Sequence, residues 1–419
     1  MLARSSPLLE YAPTAAACVT IIGAITCIFA GTIGLVQNDL KRIIAYSTCS
    51  QLGYMITACG ASNYAVGIFH LFNHAFFKAL LFLSAGAVIH ALANEQDIRR
   101  YGGLTQILGF SYTLVIIGSL ALIGTPFLTG FYSKDVILEL ASARYALSVH
   151  FSYLLATFSV LTTSYYSFRL IFFCFHSYNG ENISHSRKAL TANVDSQVSG
   201  KLTNLHKQNV VGAHDPDLVM SLPLIILALG SIYAGFIFKE MFIGLGSDFW
   251  NNAIYVSPYN SNLVEAEFLP QSVKLLPLIL TVTGGILAFL MNMWLVRRSY
   301  FLASGFLKQV YMFLNRRWLY DKLINDLIAY PGYHLGFSLL KVFDKGLLEL
   351  LPIAPLGIGG GLKKLYFQLG ETQSGLIFHY AVIMILSAVC FFALLTSPEI
   401  FIITDIRIIA LMFVALGML

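Results

Sequence analysis

Apolar runs of roughly 20 residues recur along this chain, each long enough to cross the hydrocarbon core of a bilayer as a helix. They lie over Thr14–Val36, Ile43–Cys59, Tyr64–Ala93, Ile107–Leu140, His150–Phe175, Val219–Phe238, Leu275–Val296 and Leu376–Leu395. Lipid offers the backbone no hydrogen-bond partner, so only helices and closed barrels can span it, and continuous runs of this length are helical. The expected fold is all-α, a polytopic membrane helix bundle. Composition agrees: 57% of the 419 residues are hydrophobic and 11% are charged. Asp405 and Arg407 interrupt a ninth run, Phe401–Leu419, whose crossing is left open.

Met1 to Pro13 carries no continuous apolar core of signal-peptide length, so insertion relies on the helices themselves. Cys18, Cys27, Cys49, Cys59, Cys174 and Cys390 all lie in apolar runs without metal-ligand spacing and read as small core residues. Basic residues mark one set of loops: Lys41 and Arg42, Arg99 and Arg100, then Arg187, Lys188, Lys201 and Lys207, and finally Arg297 and Arg298. The opposite set offers Arg144, Lys239 and Lys274. The positive-inside rule turns the first set toward the cytoplasm or, in a mitochondrion, the matrix.

Within the third run stands Lys78, preceded by His70 and His74. Positions four apart on a helix advance by about 40°, so the three share one narrow stripe. An ammonium at mid-membrane costs roughly 2.5–3.5 kcal/mol on insertion scales, which points to a functional group. Snorkelling to the headgroups and a pure packing role are the bland alternatives, and the central position of Lys78 argues against snorkelling.

The second run mixes in Tyr46, Ser47, Thr48, Ser50, Gln51 and Tyr54, so it belongs inside the bundle, either as packing glue or in proton conduction. The fourth is too long for one straight span and contains Gly124-Thr-Pro126 with Thr129 and Gly130 beyond. Proline removes a donor and breaks the helix there. The freed carbonyls need protein or water, as in the discontinuous helices of transporters, and Lys134 with Asp135 follow, expected to line a cavity. Arg169, in the fifth run, requires an anionic or carbonyl partner.

Residues 177–216 form a polar loop whose His185, His206 and His214 lack regular metal-ligand spacing. From Arg297 to Glu371, charges alternate with aromatic and aliphatic residues, as in a helix lying along a membrane surface or along other helices. Pro331, Pro352, Pro355 and Gly359–Gly361 are expected to kink or interrupt it. The expected organisation is a five-helix repeat with a broken helix over 1–176, the loop over 177–216, additional transmembrane helices over 217–298, a lateral amphipathic helix over 299–371 and a membrane anchor over 372–419.

Asn38-Asp-Leu-Lys-Arg-Ile-Ile-Ala-Tyr-Ser-Thr48, Gln51-Leu-Gly-Tyr54, Phe69-His-Leu-Phe-Asn-His-Ala-Phe-Phe-Lys-Ala-Leu-Leu-Phe82 and Phe131-Tyr-Ser-Lys-Asp135 resemble the subunit 5 family of respiratory complex I, an antiporter-like fold. Trp318-Leu-Tyr-Asp-Lys322 and Glu371-Thr-Gln-Ser-Gly375 resemble the start and end of that family's lateral helix. The resemblance implies a proton-translocating subunit of NADH:ubiquinone oxidoreductase in the mitochondrial inner membrane, or a bacterial plasma membrane, without redox chemistry on this chain. It makes Lys78 the mid-membrane lysine, His70 and His74 its bridges, and Lys134 with Asp135 the outward route. It places FMN, iron–sulphur clusters and quinone on other subunits, and makes the other membrane-arm subunits and the lipid bilayer the partners, with no nucleic acid. The family carries a further N-terminal block of helices, expected on a separate chain unless preceding residues went unrecorded. The rival reading is a stand-alone cation/proton antiporter subunit, against which the lateral helix argues. A third is a structural clamp.

Overall fold

The computed structural model describes residues 1–177, 213–261, 263–292, 305–350, 357–372 and 375–396. His185, His206, Arg187, Lys188, Lys201, Lys207, Arg297, Arg298, Pro352, Pro355 and the Phe401–Leu419 run lie outside them. The chain divides into two units, Met1–Leu319 and Tyr320–Leu419.

In the first unit, α1 (Ser6–Glu10) leads into α2 (Pro13–Val36), α3 (Leu40–Gly60), α4 (Tyr64–Ala91), α5 (Gly109–Ile123), α6 (Phe131–Ala143), α7 (Leu147–Ile171), α8 (Leu218–Ile243), α9 (Leu263–Glu267), α10 (Gln271–Leu290) and α11 (Gly305–Asn315). Among the described residues, five helices are long and apolar enough to cross a membrane: Pro13–Val36, Tyr64–Ala91, Leu147–His176, Leu218–Ile243 and Gln271–Leu290. The more polar α3 packs against α2, α4, α6 and α7. Its Ser47, Ser50, Gln51 and Tyr54 are buried, while Ala45, Cys49 and Leu52 form an exposed apolar edge. A helix of this polarity is tolerated because its neighbours cover it.

Small residues let α2 and α3 approach closely. A Cβ on Gly53 would stand 2.7 Å from the backbone of Cys27 and Gly23. Elsewhere α7 packs along α2 and α10, and α8 along α4. Asn38 accepts from Ile98 N–H at 2.9 Å, and Leu40 N–H donates to Gln96 at 3.0 Å. The two basic links, Lys41-Arg42 and Arg99-Arg100, thus share one end of the bundle. Arg144 sits at the other, bonded to the Ala61 carbonyl and to Asn260.

The expected lateral helix starts as α11, at the basic end: Gln37 donates to the Asn315 carbonyl at 3.4 Å, and Trp318 lies edge-on to Phe29 at 5.3 Å. A left-handed turn at Arg317, Trp318 and Leu319 then ends the unit.

The second unit holds α12 (Tyr320–Ile324), α13 (Tyr330–Ser338), α14 (Ile358–Thr372) and α15 (Ile377–Thr396). Wide π turns at Asn325–Ala329 and Leu339–Leu350 continue the helix on either side of α13. Pro331 therefore does not interrupt it. The wide turn places Pro331 in the first turn of α13, where a missing donor is tolerated. Gly359–Gly361 likewise lie in the first turn of α14.

Candidate functional site

Four helices meet around the α4 stripe. His70 is fully buried between α3 and α6: its Nε2 meets Gln51 Oε1 at 3.1 Å and its Nδ1 meets Ser133 Oγ at 2.9 Å. If Nε2 carries the proton it donates to Gln51, and Nδ1 then accepts from Ser133. Two turns along α4, the Lys78 ammonium donates to Ser47 Oγ and stands 5.6 Å from the centre of the Phe82 ring. Between them, His74 lies with its ring 6.2 Å from that of His70.

The break between α5 and α6 builds the second half of the site. Gly124 ends α5 with φ +90°, in the region that favours glycine. A Cβ on Gly130 would fall 1.8 Å from the Ala121 carbonyl, so α6 can start this close to α5 only with glycine there. Thr129, between the halves, accepts from Gly235 N–H at 3.1 Å and donates to the Gly230 carbonyl at 3.1 Å, and its own carbonyl accepts from Asn73 at 3.3 Å. The break also frees the Ile123 carbonyl, which receives the Lys134 ammonium at 3.4 Å. Lys134 further donates to Thr163 Oγ1 of α7 at 3.1 Å and lies 5.3 Å from the Tyr54 ring centre.

Lys78 is 4% exposed and Lys134 is 0% exposed, and among the described residues neither ammonium forms an ion pair. Buried cations are held here by hydroxyls, a carbonyl and aromatic faces, a set that tolerates loss of the proton better than a carboxylate partner would. Asp135 is buried beside Lys134, and Glu139 follows one turn on, near Lys239, Lys274 and Glu267 at the end opposite the basic links. Lys78 meets Ser47, His70 joins Gln51 to Ser133, and Lys134 meets Thr163 and the Ile123 carbonyl, so buried polar groups of α3, α4, α6 and α7 gather in this part of the bundle.

The five residues expected from the sequence, His70, His74, Lys78, Lys134 and Asp135, are all buried in this region. Arg169 finds the carbonyl partner its position requires, donating to Gln37 O at 2.5 Å and to Asn38 Oδ1 at 2.8 Å. Ser133, Thr163 and Glu139 were not legible as candidate site residues. Their only signal is polarity on the buried face of a helix, which a packing residue shares.

Two family models match the chain. One, NADH:quinone oxidoreductase/Mrp antiporter, covers residues 1–180, and the other, NADH dehydrogenase subunit 5 C-terminus, covers 258–396. NADH-ubiquinone oxidoreductase chain 5 of Marchantia polymorpha is 46% identical over 398 residues, 94% of this chain and 56% of the relative. The Phytophthora infestans chain 5 is 48% identical over 392 residues, 92% of this chain and 55% of the relative. Over nearly its whole length the chain is similar to NADH-ubiquinone oxidoreductase chain 5. It spans little more than half the length of these chain 5 relatives. The Mrp complex from Dietzia sp. DQ12-45-1b shares the fold, with a TM-score of 0.52 at 18% identity over 90% of this chain and 35% of that one. A multi-pass, all-α membrane bundle of antiporter-like type is thus the architecture of this chain, and Lys78 and Lys134 lie within the part matched by the first model.

Proposed function

We propose that this chain is a proton-translocating membrane-arm subunit of NADH:ubiquinone oxidoreductase in the mitochondrial inner membrane. In this reading Lys78 and Lys134 load and release protons in response to quinone reduction elsewhere in the complex. His70 and His74 bridge them, and Asp135 continues the route outward. The carrying observation is the pair of lysines buried among polar side chains of α3, α4, α6 and α7, without an ion pair among the described residues. A change of a few pKa units between two states of a lysine, at about 1.36 kcal/mol each, matches the roughly 2.3 kcal/mol needed to move one charge through 100 mV.

FMN, iron–sulphur clusters and quinone belong to other subunits in this reading, and the partners are the other membrane-arm subunits and lipid. The region proposed as the lateral strap, 299–371, exposes Tyr330, Leu335, Phe343 and Leu365, an apolar surface suited to neighbouring helices or lipid. The domain organisation given above, from the five-helix repeat over 1–176 to the anchor over 372–419, is part of the same proposal.

The test is Lys78→Arg in the assembled enzyme reconstituted into liposomes. Arginine keeps the charge but does not release its proton. Protons moved per electron pair are expected to fall, and a normal ratio would sink the loading role.

A further inference from the structure

The loop that separates α5 from α6 is seated in the main chain of α8. Thr129 N–H donates to the Ser231 carbonyl at 3.3 Å, while its hydroxyl donates to the Gly230 carbonyl and accepts from Gly235 N–H, both at 3.1 Å. The Thr129 carbonyl accepts from Asn73 at 3.3 Å, a residue of α4 that stands between His70 and His74. Every polar atom of Thr129 is thus bonded to another helix, and Thr129, Asn73 and Ser231 are fully buried. Small residues of α8 make this approach possible. A Cβ on Gly235 would stand 2.6 Å from Thr129 Cα, and one on Gly230 would stand 2.4 Å from the Phe76 ring, so the same stretch of α8 also grips α4. A buried polar network in which every member is satisfied rigidifies what it joins.

What it joins is the start of α6. The next residue, Gly130, offers its carbonyl to Lys134 N–H at 2.9 Å, closing the first turn of that helix. Within this turn Ser133 meets His70 at 2.9 Å, and Lys134 reaches the Ile123 carbonyl at 3.4 Å and Thr163 at 3.1 Å. A helix carries its first turn as a unit, and hydrogen bonds weaken steeply with distance and misalignment, so little displacement of Thr129 is needed to loosen the Lys134 contact with Ile123.

We propose that Thr129 is a positioning residue for proton translocation: its hydroxyl, held in the main chain of α8, fixes where α6 begins, and through α6 the reach of Lys134 to the Ile123 carbonyl and of Ser133 to His70. Thr129 itself exchanges no proton with the lysines. The working part of α8 is accordingly the Gly230–Gly235 stretch, which holds α4 through Phe76 and α6 through Thr129 in one fixed relation. The inference rests on the proton-translocation reading of the site.

The experiment uses the assembled enzyme in liposomes, with Thr129→Val, Thr129→Ser and Lys78→Arg measured side by side for protons moved per electron pair across a range of pH. Valine keeps the shape of threonine and removes the hydroxyl, whereas serine keeps the hydroxyl. In Thr129→Val the ratio is expected to fall severalfold and its pH profile to be displaced, and in Thr129→Ser both are expected to match the unaltered enzyme. A purely structural role would lower the yield of assembled enzyme and leave ratio and profile unchanged in the fraction that assembles, and that result overturns the proposal. An equal fall in Thr129→Val and Thr129→Ser also overturns it, because the hydroxyl would then not be the deciding group. A normal ratio in Thr129→Val, with a fall in Lys78→Arg, overturns the positioning role and leaves the translocation reading standing. A normal ratio in Lys78→Arg overturns that reading instead. If Thr129→Val does not assemble, Asn73→Leu, which frees the Thr129 carbonyl from α4, takes its place: a severalfold fall in the ratio is expected, and a normal ratio overturns the proposal.

Discussion

The Lys134 ammonium reaches back across the break in its own span to the carbonyl of Ile123, at 3.4 Å. The residue that frees a carbonyl and the residue that occupies it belong to the same interrupted helix. Loss of helical bonding at the break is thereby offset by a charge that needs an acceptor. The site depends on how closely α6 approaches the end of α5.

That closeness is tested by Gly130→Ala. The added methyl would fall 1.8 Å from the Ala121 carbonyl, so α6 must shift. A cost of about 1–3 kcal/mol is expected for such overpacking. Native-gel yield of the assembled complex should drop, whereas Gly109→Ala, with nothing within 4 Å of its Cβ, should leave yield unchanged.

Arg169 ties α7 to the link between α2 and α3. Arg169→Leu leaves the Gln37 carbonyl without the guanidinium, at an expected loss of roughly 1–3 kcal/mol for an unpaired buried acceptor. Lysine cannot fork to two acceptors in the same geometry, so Arg169→Lys should recover only part of the loss. Thermal unfolding in detergent reads the order wild type, Arg169→Lys, Arg169→Leu.

At the basic end, the hydrogen-bonded Arg99 guanidinium holds the Asp97 carboxyl below its ordinary pKa. A carboxylate with a depressed folded pKa adds stability above the unfolded value of about 4. That contribution is lost as pH falls through the lower folded value. Protection of the Arg99 amide, which donates to Asp97 at 3.0 Å, should therefore fall with acidification below about pH 4. Hydrogen exchange on Asp97→Asn should show a weaker pH dependence there, and an unchanged profile would refute the assignment.

Because α11 packs beside Gln37 and Phe29, Lys308 should share a membrane side with Arg100. Lys308→Cys and Arg100→Cys should react with an impermeant thiol reagent from the same side of sealed vesicles. Labelling from opposite sides would refute that placement.

The spans were legible in the sequence because lipid imposes length and continuity on every helix that crosses it. The stripe of His70, His74 and Lys78 followed from helical periodicity, and the break from Pro126, since both are set by neighbours in the chain. Partners were not legible. That Lys78 meets Ser47, that His70 joins Gln51 to Ser133, and that Lys134 meets Thr163 depend on the packing of α3, α4, α6 and α7. Such contacts join residues far apart in sequence, and serine or tyrosine on a buried helix face carries no local sign of whether it packs or conducts. The end of the first unit shows the same division. Prolines announced a break in the lateral segment, but the left-handed turn came at Arg317–Leu319, where tertiary contacts of Trp318 with Phe29 and Phe313 hold a conformation that local preference disfavours.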